Sequence, residues 1–233
     1  MMKMRKIGWI GLWILVSCSC GKSEMKMFGG KNYVYFAGRY DRDSVEVSFY
    51  FHPNTEVLSI PVHLKVSGDL LTEDKTFVIE ADESSTAEIT DYTLPEWKWK
   101  AGEVEDSSFQ VVLHYSPKLE TRVVRLVLKV VENENFLPGD MPYRKKIIRF
   151  SALKSRPLWW NDKITDEYLG PYTEKKLDVF MEITGVGDLT GLDENRIRSL
   201  AVQFKYKLIE EAEKGNIIQD ENGPMYKTVS VSV

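Results

Sequence analysis

The chain has 233 residues, a formal net charge of −4, with 31 Lys and Arg against 35 Asp and Glu, and only two cysteines. The slight excess of acids argues against nucleic acid or anionic lipid as the main partner, because both require clustered cations. Two cysteines cannot supply a disulfide framework for a domain of this size. The fold must therefore rest on ordinary core packing, for which the chain is long enough.

The first 17 residues resemble a secretory signal. Lys3, Arg5 and Lys6 precede ten uncharged residues, 7–16. A helix of that length rises about 15 Å, which is half of a hydrocarbon core of roughly 30 Å, so it is too short to span a membrane. It has the length of a signal-peptide apolar region, and residues 1–17 are predicted to be a signal peptide.

The four residues Leu15-Val16-Ser17-Cys18 resemble the lipobox of bacterial lipoproteins, which has Leu three positions before a cysteine and a small residue directly before it. The resemblance implies that Cys18 carries a diacylglycerol and becomes the acylated first residue of the mature chain. Several acyl chains together anchor a protein stably. Cys20 fits the pattern less well, because Ser17 would then occupy the Leu position.

The residues after Cys18 bear on where the anchored protein lies in the cell envelope. Ser19 stands where an Asp is associated with inner-membrane retention of lipoproteins, so the sequence favours the outer membrane. The acids that often follow the cysteine of surface-exported lipoproteins are scarce here, and both a periplasmic and a surface orientation stay open. Residues 18–31 are small, polar and Gly-containing, and they are predicted to be a lipidated tether.

Residues 32–152 are predicted to form an antiparallel β-sandwich. Apolar residues alternate with polar ones in short runs, separated by turn sequences such as HPNT and SGD. This period of two is typical of strands that bury one face, and the absence of helical patterns between the runs disfavours a parallel α/β sheet. The runs are 45–51, 58–66, 109–115, 122–131 and 145–150.

Residues 153–233 are predicted to form a helical extension packed on the sandwich. The run EKKLDVFMEI has a short helical pattern, and Asp193 is placed to cap a longer helix that Gly215 is placed to end. The apolar stripe of the longer helix needs a surface to cover, most simply the sandwich. The last residues, YKTVSVSV, alternate as in a closing edge strand. The overall class is thus mainly β, with an α+β arrangement.

The sequence has no recognisable catalytic constellation. It lacks the His-Glu-x-x-His spacing of metallohydrolases and the Gly-x-Ser-x-Gly turn of α/β-hydrolases. His52, His63 and His114 fall on the outward phase of predicted strands, where solvated polar positions are a simpler interpretation than a zinc site. We therefore predict no metal, no cofactor and no enzymatic activity. A hydrolase with unrecognised carboxylates stays open, since 35 acids always permit some pair.

Two pairs of tryptophans are candidates for binding or for packing. Trp97 and Trp99 flank Lys98, so both rings point the same way on an extended strand. Exposed tryptophans offer apolar platforms to sugar rings, and this pair is the predicted ligand site, with burial in the sandwich core as the alternative. Trp159 and Trp160 lie where the sandwich meets the helices, and a structural role is predicted for them.

Six segments follow one another along nearly the whole mature chain: IPVHLKVSGDLLTEDKTFVIE, DYTLPE, RVVRLVLKVVENENF, KSRPLWWND, LGPYTEKKLDVFMEITGVGDLT and IIQDENG. This order resembles the Bacteroidetes lipoprotein family of the domain of unknown function 4843. Members of that family are similar to cell-envelope proteins found beside outer-membrane nutrient-uptake systems. The resemblance implies a non-enzymatic role in binding a glycan or peptide or in assisting uptake, with a scaffold contact to another envelope protein as the alternative.

The segment 85–128 also resembles a Calx-beta motif. Asp91-Tyr92 matches the motif, and Trp99 stands three residues before Gly102 as the aromatic-x-x-Gly step requires. The loop before the last strand holds a single acid, Glu120, whereas Ca²⁺ takes six to eight oxygen ligands. The resemblance therefore implies an Ig-like or Calx-beta-like fold without calcium. The other acids close by are Asp82, Glu83 and Asp91.

Overall fold

A computed structural model describes residues 31–39, 44–103 and 107–232 of the chain. The predicted signal peptide, the lipid attachment at Cys18 and almost all of the predicted tether lie outside these residues. Within the described ranges, no helix combines the length and the apolar character needed to cross a membrane.

The described part of the chain contains many short strands. In chain order they are Asn32–Phe36 (β1), Ser44–Ser48 (β2), Val57–Ser67 (β3), Lys75–Thr76 (β4), Val78–Ala81 (β5), Tyr92–Thr93 (β6), Lys98–Trp99 (β7), Ser107–His114 (β8), Val124–Val131 (β9), Phe136–Pro138 (β10), Lys145–Ser151 (β11), Gln219–Asp220 (β12) and Gly223–Pro224 (β13).

Two sheets share one hydrophobic core, which confirms the predicted β-sandwich. The five-stranded sheet has the order β10-β1-β3-β8-β6, and the four-stranded sheet has the order β2-β11-β9-β5. Both sheets are mixed, which differs from the predicted antiparallel pairing. Strand β1 pairs with β10 in parallel, and β2 pairs with β11 in parallel. Parallel neighbours need a long connection, and the partners of each pair lie far apart in the chain.

Strand β3 shows how the alternating sequence builds this core. Val62 and Leu64 are buried, whereas His63 and Lys65 between and beside them are exposed. Successive side chains of a strand point to opposite faces, so one face contacts the opposite sheet and the other contacts solvent. The antiparallel neighbour β8 buries Val111 by the same alternation.

The C-terminal part contains the helices. They are Asp162–Ile164 (α1), Glu174–Thr184 (α2), Glu194–Glu213 (α3) and Met225–Thr228 (α4), and α1 continues into a π turn at Thr165–Leu169. The side chain of Asp193 accepts a hydrogen bond from the Arg196 backbone N–H, which confirms the predicted N-cap of α3. Thr173 caps α2 in the same way, and Gly185 ends α2 in the left-handed region that favours glycine.

The apolar stripe of α3 packs in a second hydrophobic cluster and not, as predicted, mainly on the sandwich. Its buried residues are Leu200, Ala201, Phe204 and Leu208. They share this cluster with α2, with the π turn and with the end of the chain, while Tyr50 and Phe51 from the sandwich pack at its margin. The C-terminal part therefore covers most of its own apolar surface.

The predicted closing edge strand is wrong for the described residues, which extend to Ser232. Helix α4 occupies the start of that run, and Val229 and Val231 are buried in the second cluster. The Lys205 ammonium of α3 donates to the carbonyl oxygens of Val229 at 2.9 Å and Val231 at 2.7 Å. The Lys205 ammonium thus donates to two carbonyl groups that would accept from backbone N–H groups of a neighbouring strand if this segment were part of a sheet.

Candidate functional site

The predicted ligand residues Trp97 and Trp99 lie in the sandwich core. Their exposed fractions are 7% and 0%. Both rings point the same way, as the spacing predicts, but they point inward, and Lys98 is exposed on the other face. The centroid of the Phe77 ring lies 5.8 Å from that of Trp97 and 6.5 Å from that of Trp99. This placement corrects the predicted binding role, because neither ring is open to a sugar.

Trp159 and Trp160 have the structural role predicted for them. Their rings stack with centroids 5.3 Å apart, and Trp160 is buried in the second cluster. The Trp160 Nε1–H donates to the carbonyl oxygen of Gly170 at 3.1 Å, and that of Trp159 donates to Gly187 at 3.2 Å. These hydrogen bonds satisfy both indole N–H groups, so this pair fixes two loops of the C-terminal part.

The three histidines lie at separate positions of the sandwich. His63 is exposed on β3, His114 Nε2 lies 2.8 Å from Thr93 Oγ1, and His52 lies in the turn after β2. In the part of the chain that the structure describes, no three His, Cys, Asp or Glu side chains are grouped closely enough to hold a metal ion.

Two of the acids close to the Calx-beta-like loop, Asp82 and Asp91, form local contacts. The buried Asp91 carboxylate accepts hydrogen bonds from the Glu88 backbone N–H at 2.7 Å and pairs with the Lys118 ammonium at 2.9 Å. Asp82 pairs with the Lys145 ammonium at 2.8 Å. Its hydrogen bond to Lys145 holds the pKa of the Asp82 carboxyl well below its usual value. These carboxylates stabilise the sandwich through the cations beside them.

A cleft of about 770 Å³ opens at one end of the sandwich. It lies where β2, β8 and β11 end and where β3 begins. Sites for small molecules span about 300–1,000 Å³, so the cleft has a suitable size. The side chains that give it chemical character are Tyr50, His52, Glu56, Tyr115, Glu120 and Lys154. We refer to it below as the Tyr115 cleft.

The turn after β2 forms one wall of the Tyr115 cleft. Strand β2 ends at Ser48, and the 3-10 turn Phe49–Phe51 follows, so the alternation predicted for 45–51 stops early. Phe49 is buried in the sandwich core, whereas Tyr50 packs against the second cluster. Asn54 then takes a φ of 60°, a left-handed conformation that Asn tolerates better than most residues. The turn thus contacts both hydrophobic clusters.

Tyr115 follows β8, and 36% of its surface is exposed. Its hydroxyl donates to the Glu120 carboxylate, and this hydrogen bond is the main cause that raises the pKa of Tyr115. Its backbone N–H donates to the carbonyl oxygen of Glu56 at 2.8 Å, and its ring meets that of Phe49 edge to face at 5.9 Å. These contacts hold the exposed ring in one orientation at the cleft.

Lys154 follows β11, and its ammonium is held by two carboxylates of helix α2. It lies 2.7 Å from Asp178 Oδ2 and 3.1 Å from Glu174 Oε1, and these hydrogen bonds raise the pKa of Lys154. The Tyr50 hydroxyl donates to Asp178 Oδ1 at 2.7 Å. Burial first, and then this hydrogen bond, raise the pKa of Tyr50. Asp178 therefore joins two side chains of the cleft to α2.

The Tyr115 cleft offers aromatic rings, carboxylates, an imidazole and an ammonium, a set suited to noncovalent binding of a polar ligand. The sequence predicts connections between strands for part of the lining, HPNT at 52–55 and SPKLETR at 116–122, and it places Tyr50 and Tyr115 near the ends of predicted strands. Their proximity follows from the pairing of β3 with β8 and of β2 with β11. Long-range pairing of this kind is not visible in the alternation of a single strand.

Comparison with curated proteins finds no match. The solved structures that match include a proposed carbohydrate-binding protein from Bacteroides ovatus (11% identity, TM-score 0.38, 52% of this chain and 37% of that one). They also include a two-domain protein of unknown function from Bacteroides fragilis (14%, 0.40, 52% and 46%) and the apo form of the Calx CBD1 domain (12%, 0.36, 52% and 98%). The chain spans less than half the length of the two Bacteroides proteins.

A family model matches residues 28–186, which is more than half of the chain. The matched range contains both sheets, helix α2 and the whole Tyr115 cleft, and it ends before α3. The match confirms the family resemblance seen in the sequence. The chain belongs to the family described as Domain of unknown function (DUF4843).

Proposed function

We propose that the protein is a non-enzymatic binding protein of the cell envelope and that the Tyr115 cleft holds its ligand. The cleft itself carries this proposal, because it combines a suitable volume with an exposed ring that two contacts hold in place. Binding sites of this kind pair apolar area with a few placed polar groups.

An oligosaccharide is the ligand class that these groups favour. The Tyr115 ring supplies apolar area for a sugar face, and the Glu56 and Glu120 carboxylates accept hydrogen bonds from hydroxyl groups. A peptide is the alternative class, because its backbone N–H groups meet the same acceptors. The cleft thus takes the place of Trp97 and Trp99 in the proposed recognition of a glycan.

Substitution of Tyr115 tests the binding site. Tyr115→Ala should weaken binding to the best neutral oligosaccharide on a glycan array by roughly tenfold, because a ring that anchors a ligand contributes about 1–2 kcal/mol. Tyr206→Ala is the matched control, since Tyr206 is 57% exposed on α3 and does not line this cleft. Equal effects of the two variants would contradict the site, and cleavage of a bound glycan by the wild type would contradict a non-enzymatic role.

Lipid attachment at Cys18 is the second part of the proposal. The lipobox supports it, and an outer-membrane anchor would place the protein beside a nutrient-uptake system as an accessory component. Cys18→Ala should move the protein from the membrane pellet to the soluble fraction and abolish labelling with a fatty acid. Cys20→Ala should change neither, because its spacing from Leu15 does not fit the lipobox. Membrane association of the Cys18 variant would contradict the anchor.

A scaffold contact with another envelope protein is the second candidate function. Leu158 is fully exposed, and it borders a groove of about 450 Å³ that Trp159 and Leu189 also line. A fully exposed leucine beside a groove with further apolar side chains in its lining supports a contact surface for a partner protein. A photo-crosslinker at Leu158 should give one defined adduct in living cells if this candidate holds, whereas one at the exposed Lys175 should not. Adducts at neither position would speak against it.

A further inference from the structure

We infer that the Tyr115 cleft discriminates against anionic ligands and that Asp178 and Glu174 of helix α2 set this specificity. The inference rests on the proposed function of the cleft as a ligand site, and it adds the charge of the ligand. Neither carboxylate is among the groups that line the cleft. Both act through Lys154, which makes them positioning residues for ligand selection.

The first step concerns the cation of the cleft. Among the described residues that line it, Lys154 is the one Lys or Arg. An ammonium has three N–H donors, and two carboxylates, those of Asp178 and Glu174, lie within 2.7 and 3.1 Å of it. The ring of Tyr50 lies beside the same ammonium, with its centroid 5.8 Å away. The positive charge of Lys154 is therefore already paired with two carboxylates before a ligand binds.

The second step concerns the remaining charges. Glu56 and Glu120 line the cleft, and neither forms an ion pair with a described residue. An anionic ligand would meet these two like charges, and Lys154, the one Lys or Arg among the described residues that line the cleft, is already paired with two more carboxylates. An uncharged ligand with hydroxyl groups avoids this repulsion, and its hydroxyls donate to the same carboxylates. The cleft should thus select neutral oligosaccharides over uronic-acid-containing ones.

The test uses the double variant Asp178→Asn/Glu174→Gln of the full chain. Asn keeps an oxygen that accepts the Tyr50 hydroxyl, so the contact to the turn is retained while both charges are removed. Calorimetry at low salt would compare a panel of neutral tetrasaccharides with the matching tetra-uronates, in which carboxylates replace the C6 hydroxymethyl groups. The double variant should gain roughly two- to fivefold in affinity for the tetra-uronates, the range expected for one freed surface charge.

Two controls separate specificity from a general change of charge. Glu182→Gln removes an exposed acid from the same helix and should leave both affinities unchanged. Adding Lys154→Met to the double variant should abolish the gain for tetra-uronates, because that gain depends on the freed ammonium. Binding of neutral tetrasaccharides should stay within about twofold in the Asp178→Asn/Glu174→Gln variant, which leaves every residue that lines the cleft in place.

Each outcome decides a separate point. Stronger wild-type binding of tetra-uronates than of neutral tetrasaccharides would overturn the inference and leave the cleft as a ligand site. Selective wild-type binding of neutral sugars without a gain in the double variant would overturn the role of Asp178 and Glu174 alone. Wild-type binding of neither class would overturn the proposed glycan function, and this inference with it.

Discussion

The Tyr50 hydroxyl donates to Asp178 Oδ1 at 2.7 Å and joins the turn after β2 to helix α2 across 128 positions of the chain. The other oxygen of the same carboxylate binds Lys154 at the end of the sandwich. One side chain of the C-terminal part therefore contacts two residues that line the Tyr115 cleft. The orientation of these cleft residues depends on the helices as well as on the sheets.

Removal of the Tyr50 hydroxyl should lower the free energy of unfolding. Tyr50→Phe should cost about 1–2 kcal/mol, because hydrogen bonds to a charged partner contribute more than neutral ones and Asp178 loses a donor. Urea unfolding measures the change. Tyr226→Phe is the matched control, since its hydroxyl forms no hydrogen bond with a described residue and its ring is also half-buried. Equal losses in the two variants would contradict a specific contribution of the Tyr50 hydroxyl.

The two core tryptophans should differ in their response to substitution by phenylalanine. The Trp99 Nε1–H donates to the carbonyl oxygen of Glu103 at 3.0 Å, whereas the buried Trp97 Nε1–H has no hydrogen-bond partner among the described residues. Trp99→Phe should therefore destabilise the protein by about 1 kcal/mol more than Trp97→Phe, which removes an unsatisfied donor. Guanidinium unfolding of both variants gives this difference. A larger loss for Trp97→Phe would contradict the assignment.

The buried pair Lys176 and Asp220 should be strongly coupled. Both side chains are fully buried, and the Lys176 ammonium lies 3.7 Å from Asp220 Oδ2 and donates to the carbonyl oxygen of Pro171 at 2.9 Å. Lys176→Met leaves the Asp220 charge without its cation and should cost roughly 3–5 kcal/mol. The double variant Lys176→Met/Asp220→Asn should lose less than the single variant. Additive losses in this double-mutant cycle would contradict the pairing.

Glu210 on α3 should contribute a pH-dependent increment to stability. Hydrogen bonds from Lys214 and then Lys207 lower the pKa of Glu210 from 4.5 to about 2. Because the folded pKa lies below the unfolded one, this contribution is present above about pH 4.5 and is lost as the pH falls towards 2. Glu210→Gln should flatten the loss of thermal stability over this interval, whereas Glu213→Gln on the same helix should not. Parallel pH profiles for wild type and Glu210→Gln would contradict the effect.

Local patterns in the sequence predict where strands and helices form. They predict less well which face of a strand is buried and which strands pair. The alternation of 58–66 and the cap at Asp193 depend on neighbouring residues only, and both appear as predicted. The alternation around Trp97 and Trp99 places both rings on one face but does not distinguish the core face from the solvent face, because the two phases of a strand are equivalent until the sheet is packed. The cleft required pairings between distant strands, which no local pattern contains.

The end of the chain is a second case in which a local pattern does not predict the structure. YKTVSVSV has the alternation of a strand, yet Val229 and Val231 are both buried in the second cluster, which the helices form. Their backbone carbonyls accept hydrogen bonds from the Lys205 ammonium. Lys205 lies on α3, so the pattern of the last eight residues does not predict this contact. Tertiary packing thus overrides the local preference.

The position of the ligand is tested most directly by an NMR titration of the ¹⁵N-labelled protein with the neutral oligosaccharide that binds best. We expect saturable shifts of the backbone amides of Asn54, Thr55 and Tyr115, which lie at the cleft, and unchanged indole signals of Trp97 and Trp99, which lie in the core. Shifts confined to other surfaces, such as the groove beside Leu158, with the cleft amides unchanged, would contradict a ligand site in the Tyr115 cleft.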